Sequence, residues 1–516
     1  MVPEQEANRL TLQADLDSQK SQAQRNKLGQ FATPTALATH ILDHGKRLLE
    51  GQPVRFLDPA IGTGSFYSAL RRVASPHEIV EALGFEIDAH YGEPAAELWR
   101  DSGLQLELAD FTKALPQPRF NLVICNPPYV RHHHMEQAEK QRLQALVKNC
   151  SGINIRGLAG LYCYFLGIAH AWMAEDGIAG WLIPSEFMDV NYGRQVKQYL
   201  LEEVTLLQIH RFDPNDVQFS DALVSSAVVW FRKAVPPKGH SVLFTYGGTL
   251  DEPTASRRVS ATALADEAKW TRFPKLDVRV RSSAPTIGDF FKIKRGIATG
   301  DNGFFILSEQ ELEVRSLPKR FFRPILPSPR HVKTDEVFGD QDGVPRLDKR
   351  LFLLDPGLPE DEIERLSPAL WSYLQEGKAK GLHERYLCSH RSLWYAQETR
   401  PPAPIVCTYL GRSDTKSGRP FRFIRNRSNA TVANVYLAMY PTPLLERALA
   451  ENPTLLDDTW RLLNQIEPEK LLGEGRVYGG GLHKLEPKEL AQVPLSMLAA
   501  RVASERPALQ LELLGA

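Results

Sequence analysis

The chain has 516 residues, of which 43% are hydrophobic and 24% charged, and its 62 basic side chains balance 62 acidic ones. That composition excludes a disordered or fibrous chain, leaves ample apolar material for a large core, and at this length suits two to four domains. Zero formal net charge excludes a uniformly basic polypeptide, so any surface for a polyanion must be local. The five cysteines, Cys125, Cys150, Cys163, Cys388 and Cys407, are odd in number and widely spaced. They argue against a disulfide framework or a structural zinc site and fit a reducing cytoplasm. The N-terminus is polar and lacks a secretory pattern. The longest apolar stretch, around Leu161–Ala174, contains His170 and is too short to span a bilayer. The expectation is a soluble cytoplasmic protein with no membrane partner.

In chain order, Val54–Leu57 predicts a strand that runs into Gly62-Thr63-Gly64-Ser65 and then a helix from about Phe66. Ile79–Phe85, Leu104–Leu108 and Phe120–Cys125 predict three further strands, with helical segments between the first two pairs. A long helix is expected over about Gly160–Glu175, a strand over Gly180–Ile183, and a closing pair over Val204–Ile209 and Ser225–Phe231. Strands alternating with helices predict an α/β fold with a doubly wound, mostly parallel sheet covered on both faces. After Val235-Pro236-Pro237-Lys238-Gly239 the texture changes to proline-rich, long polar loops. The expected division is 1–240 for the sheet domain and 241–516 for an α+β second half.

Four polar features share one address, just past the C-terminal ends of predicted strands, where open doubly wound sheets bind ligands. The first is Asp58 to Ser65. Its glycines permit positive φ and close backbone approach, yet it lacks both the dinucleotide spacing and the lysine of a phosphate loop. An acid before the glycines suits a ligand carrying an ammonium, such as a methionine moiety; a plain strand-to-helix turn would have the same composition. Glu86 ends the second strand, where an acid accepts from ribose hydroxyls, and Ile87 could pack on an adenine face. Asp110-Phe111 ends the third, a carboxylate for an adenine amine beside a ring that could stack.

The fourth is Asn126-Pro127-Pro128-Tyr129. Two prolines fix φ, remove donors and restrict the residues before them, making a rigid turn that presents acceptors. The Asn126 side-chain oxygen and the Pro127 carbonyl can both face an –NH2 group. An aromatic amine is a poor nucleophile because its lone pair is delocalised. Acceptors on its two hydrogens favour a pyramidal nitrogen and expose that lone pair, and positioning of this kind can supply roughly 7–11 kcal/mol of a barrier. Tyr129 would stack on the target base.

In this order the residues resemble S-adenosylmethionine-dependent DNA amino-methyltransferases, most of all the adenine-N6 enzymes of the gamma arrangement found in restriction–modification systems. Gly29-Gln30-Phe31-Ala32-Thr33-Pro34 matches the cofactor motif that leads in that arrangement. Gly177–Phe187 and Ser225–Val229 resemble its later strand motifs. The resemblance implies a Rossmann-like catalytic domain followed by a target-recognition domain. It implies that Thr33, Asp58, Ala60, Gly62, Gly64, Glu86, Ile87, Asp110, Phe111 and Asn126 contact S-adenosylmethionine. Asn126, Pro127, Pro128 and Tyr129 would act on a flipped base, with Phe219 as a second ring and Phe212 as its alternative. It implies methylation of adenine N6 in double-stranded DNA by a metal-free monomer, with a cognate endonuclease as a genetic rather than a physical partner. Lys292–Asn302 and Arg476–Pro487 resemble segments of the recognition half.

The stretch Arg391–Arg427 interleaves arginines with aromatic residues and holds few acids, a pattern suited to phosphate and groove contacts. Lys294, Arg295, Arg419, Arg422 and Arg425 are the candidates for DNA; a solvated surface with ordinary ion pairs is the competing reading. His132-His133-His134 invites a metal, but adjacent residues do not converge on one ion, and a loop over the site is expected instead. RNA adenine, DNA cytosine-N4 and a protein glutamine amide pose the same chemical problem. The enzymes that methylate the glutamine amide of release factors are shorter and carry their extra domain before the sheet. A recognition subunit with a dead methyltransferase fold would not need an intact Asn126–Tyr129, and no acid-x-Lys nuclease site is evident.

Overall fold

A computed structural model describes residues 2–213, 225–274, 285–412, 418–478, 482–498 and 501. It forms two compact units, Met1–Val280 with Tyr478–Gly480, and Arg281–Val477 with Gly481–Ala516.

The first unit is built on a nine-stranded sheet of order β3-β2-β1-β4-β5-β7-β6-β8-β9. Its strands are β1 (Val54–Asp58), β2 (Ile79–Glu86), β3 (Leu104–Leu108), β4 (Phe120–Cys125), β5 (Met173–Pro184), β6 (Thr205–Arg211), β7 (Ser226–Arg232), β8 (Ser241–Gly248) and β9 (Pro253–Ser260). β3 through β5 are parallel, and β7 lies antiparallel between β5 and β6. The order reverses between β1 and β4, which opens a crevice at the strand ends.

The helices are α1 (Val2–Ser18), α2 (Gln22–Leu28), α3 (Thr35–Leu48), α4 (Ser65–Val73), α5 (Ala89–Trp99), α6 (Gln137–Ser151), α7 (Leu161–Ala169) and α8 (Gly193–Glu202). Alternate strand residues point to opposite faces. Phe56, Leu122, Ile124 and Trp230 meet Ile41, Leu70 and Trp99 of α3–α5 on one face. Leu57, Val123, Trp181 and Val229 meet Val147, Leu166 and Leu200 of α6–α8 on the other. Central strands apolar on both faces are what a sheet buried under two helical layers requires.

The structure shifts two expected boundaries. The helix expected to Glu175 ends at Ala169, and β5 starts at Met173, which pairs with Phe120. An unbroken apolar run reads alike as buried helix or buried strand. The sheet also continues past residue 240. β8 pairs with β6 and β9 with β8, and Val242, Phe244 and Val259 join the same core. The Pro236-Pro237 segment is therefore a connection inside the first unit.

The second unit is α+β. One sheet has the strand order 291–295, 436–441, 405–408, 423–427 and 336–338; another has 306–308, 351–354, 322–326 and 431–432. Helices Pro443–Glu451, Leu455–Asn464 and Pro468–Glu474 pack onto the first through Leu445, Leu463 and Leu471. Among the described residues no helix is long and apolar enough to cross a membrane.

Candidate active site

A cavity of about 660 Å³ opens past the C-terminal ends of β1 to β4 and is lined by Thr33, Asp58, Ala60, Gly62, Glu86, Ile87, Asp110, Phe111, Asn126 and Pro128. Its size suits a small-molecule ligand. Ile87 is 69% exposed, an apolar side chain held at the cavity wall. Phe111 is buried against Phe85, Phe165 and Trp172, with centroids 5.4–5.5 Å apart.

The turn after β4 is locked to the loop before α3. Asn126 Nδ2 donates to the Phe31 carbonyl at 3.0 Å and to Thr33 Oγ1 at 3.2 Å. A carbonyl only accepts, so the amide orientation is set. No protein donor reaches Asn126 Oδ1 among the described residues, and the side chain lines the cavity. Gly29 has φ +67°, and a Cβ there would lie 2.3 Å from the Tyr129 nitrogen. The glycine is what lets the two segments touch. The Tyr129 hydroxyl donates to the Leu182 carbonyl at 3.1 Å, and its ring lies 6.0 Å from that of Phe31.

The cavity wall is acidic: among the described residues Asp17, Asp58, Glu86, Asp88, Asp110 and Glu139 line it, against Lys20 alone among lysines and arginines. Lys20 pairs with Asp88, Lys113 lies 3.4 Å from Asp110, and Arg142 takes Glu139 at 2.6 Å. Asp58 and Glu86 have no such partner among the described residues. Asp58 Oδ1 accepts from the Ala60 amide at 3.1 Å; Glu86 accepts from the amides of Gly62 and Asp88 at 3.1 and 2.8 Å. Burial, reinforced by the charge of Glu86, pushes the Asp58 carboxyl up to about 8, and burial also raises that of Glu86.

The N-terminal helix is the part of the site that the sequence reading missed. Its buried stripe is Glu6, Arg9 and Leu16, with Gln13 between them facing the cavity. Arg9 forks onto Glu6 at 2.7 and 2.8 Å and donates to Thr63 Oγ1 at 3.2 Å and Ser65 Oγ at 3.0 Å in the glycine-rich turn. Gln13 Oε1 accepts from Thr63 at 2.6 Å. The stripe has helical spacing but polar residues, so it left no amphipathic signal.

Several candidates sit elsewhere. Gly64 does not line the cavity; it has φ +90°, and a Cβ would meet Trp99 Nε1 at 2.5 Å, so its role is packing under the turn. Pro127 is buried and, like Tyr129, lies outside the cavity lining. Phe219 falls outside the described residues. Phe212 is buried, with its ring 4.7 Å from His210. Arg422 pairs with Asp335 at 2.8 Å and donates to the carbonyls of Val332 and Thr334; Arg425 pairs with Asp457 at 2.9 Å; Arg419 lies 3.2 Å from Asp335. These arginines hold the second unit together. Arg295 lies over the Tyr409 ring at 4.3 Å and donates to the Asn434 carbonyl, and Lys294 is half-buried. Among the described residues no group of three His, Cys, Asp or Glu side chains is placed to hold a metal.

A glycine-rich turn after β1, an acid ending β2 and a proline turn after β4, on a sheet of this order, define a Rossmann-like methyltransferase. Two family models match the chain: Eco57I restriction-modification methylase over residues 91–218, and the C-terminal domain of Type II methyltransferase M.Eco57I over residues 274–513. The chain is similar to Eco57I-type restriction–modification methylases over these two segments. It is 26% identical over 501 residues to Type II methyltransferase M.AccI of Acinetobacter calcoaceticus, covering 93% of this chain and 87% of that one. It is 28% identical over 474 residues to Type II methyltransferase M.XamI of Xanthomonas campestris pv. amaranthicola, covering 87% and 82%. The fold is shared with the Type IIL restriction-modification enzyme MmeI, solved in complex with DNA, at a TM-score of 0.50 and 14% identity over 87% of this chain. That match spans 64% of the MmeI chain.

Proposed function

We propose that the protein transfers a methyl group from S-adenosylmethionine to the N6 amine of an adenine flipped out of double-stranded DNA, and so protects that DNA from a cognate endonuclease. The observation that carries this reading is Asn126. Its amide nitrogen is held by Phe31 and Thr33, which leaves Oδ1 as an acceptor in the cavity.

The cavity fits a cationic cofactor. A buried and a half-buried carboxyl without a cation beside them favour a ligand bearing an ammonium and a sulfonium, and they oppose nucleotide phosphates. Asp58 would hold the ammonium, Glu86 the ribose hydroxyls, and Ile87 with Asp110 the adenine. When bound, S-adenosylmethionine supplies an electrophilic sulfonium methyl. The chain's own part is to orient the acceptor. Asn126 Oδ1 accepts one amine hydrogen and the carbonyl of Pro127, next to it in the turn but outside the cofactor cavity, accepts the other, which turns the nitrogen lone pair out of conjugation. Extrusion of the base from the duplex brings that amine within reach. Support for DNA as the substrate comes from the names of the relatives, which are Type II methyltransferases.

Asn126→Ala tests the role directly. Methyl transfer should fall by at least about a hundredfold, the loss typical of a positioned acceptor or donor, while equilibrium binding of S-adenosylhomocysteine stays within a few-fold. Near-normal turnover would remove Asn126 from the mechanism.

A further inference from the structure

We infer that Arg131 to His134, with Lys140, form a phosphate-docking collar at the rim of the catalytic cavity, which holds the DNA backbone beside the target base. The inference rests on the DNA-methylation reading above and assigns to that site a contact the catalytic motifs do not supply.

Four observations carry it. First, Val130 and Met135 both line the cavity, so the segment between them leaves and returns at its rim. The Val130 carbonyl accepts from the Leu161 amide at 2.9 Å, which ties that end to α7. Second, the segment is ordered into one 3-10 turn over His132–His134, with neighbouring rings 4.2 and 5.3 Å apart. Arg131, His133 and His134 are exposed. Third, none of the side chains of Arg131, His132, His133, His134 and Lys140 has an acid or acceptor partner among the described residues. Partial desolvation, and then the positive field of His134, His132, Arg131 and Lys140, hold the His133 imidazole below its usual value, and no carboxylate offsets them. Of the acids on the adjoining helix, Glu139 is taken by Arg142, and Glu136 is exposed at the helix start. Fourth, the arginine-rich stretch of the second unit spends Arg422, Arg425 and Arg427 on internal ion pairs.

Clustered cations without counterions are unfavourable alone and complementary to a polyanion. Contact with phosphate would offset the positive field on the His133 imidazole and raise its proton affinity. Binding would then take up protons, and affinity would rise as pH falls through the imidazole range.

The test measures anisotropy of a fluorescein-labelled DNA duplex on the full chain across salt, at about pH 6 and about pH 8, either side of the imidazole range. For the wild type, log K against log salt should steepen by about one to two at the lower pH, since each phosphate neutralised adds about 0.9 to the slope. In the triple variant His132→Asn, His133→Asn, His134→Asn this pH difference should vanish. Arg131→Ala should lower the slope by about 0.9 at both pH values. Circular dichroism melts confirm that the exposed substitutions leave the fold intact. A pH difference retained by the triple variant, or an unchanged slope in Arg131→Ala, would overturn the collar while leaving the methyltransferase reading intact. A wild type that binds no duplex would count against that reading, and the collar with it.

Discussion

Asp58 is the residue whose protonation the cavity controls most. Its carboxyl sits at about 8 because it is buried without a cation, so it is mostly protonated at neutral pH. A ligand ammonium favours the carboxylate, and binding below that value releases a proton. Cofactor affinity should therefore increase with pH towards 8. Above that it should fall once the ligand's own α-amino group loses its proton. Calorimetry of S-adenosylhomocysteine in buffers of different ionisation heat reads the proton count; no release below pH 8 would take Asp58 out of the ammonium site. Gly64→Ala should destabilise the first unit by about 2–4 kcal/mol, from left-handed backbone strain plus overlap with Trp99, measured by denaturant unfolding. At this scale the sequence is legible where chemistry is local. Asn126 to Tyr129 are contiguous, and their turn follows from proline geometry. Arg422 and Arg425 are not legible, because Asp335 and Asp457, which hold them, are remote in the chain and close only once the second unit has folded.

Elements were readable where they bury apolar residues. The strands from β1 to β4 appear within a residue or so of their predicted positions, since each is a short apolar run or an apolar–polar alternation bounded by turn residues. α1 was invisible because it packs through an ion pair. Arg9→Met would leave Glu6 buried without its cation, and removing one partner of such a pair costs about 3–5 kcal/mol. Loss of α1 docking should also weaken cofactor binding through Thr63 and Gln13. Burial pushes the Glu6 carboxyl up, but the hydrogen bonds from Arg9, Ser68 and Thr35 and the charge of Arg9 together hold it down at about 2. Its contribution to stability is thus full above the ordinary carboxylate range and is lost as pH falls from about 4.5 towards 2. In an acid titration of unfolding free energy, Glu6→Gln should lose part of the wild-type slope across that window. An identical slope in both proteins would mean that the pair does not couple α1 to the core.

At the scale of the whole molecule, the chain divides at residue 280, later than its proline-rich segment suggests. Two added strands carry the first sheet past that segment, and local texture does not report which sheet a strand joins. The cavity lies in the first unit, and the match to the C-terminal domain of Type II methyltransferase M.Eco57I falls largely on the second. The chain, incubated with methyl-labelled S-adenosylmethionine and separately with DNA, RNA and a release factor, should transfer label only to DNA. After digestion to nucleosides, that label should run as N6-methyladenine. Label in RNA, in protein or in N4-methylcytosine would contradict the account.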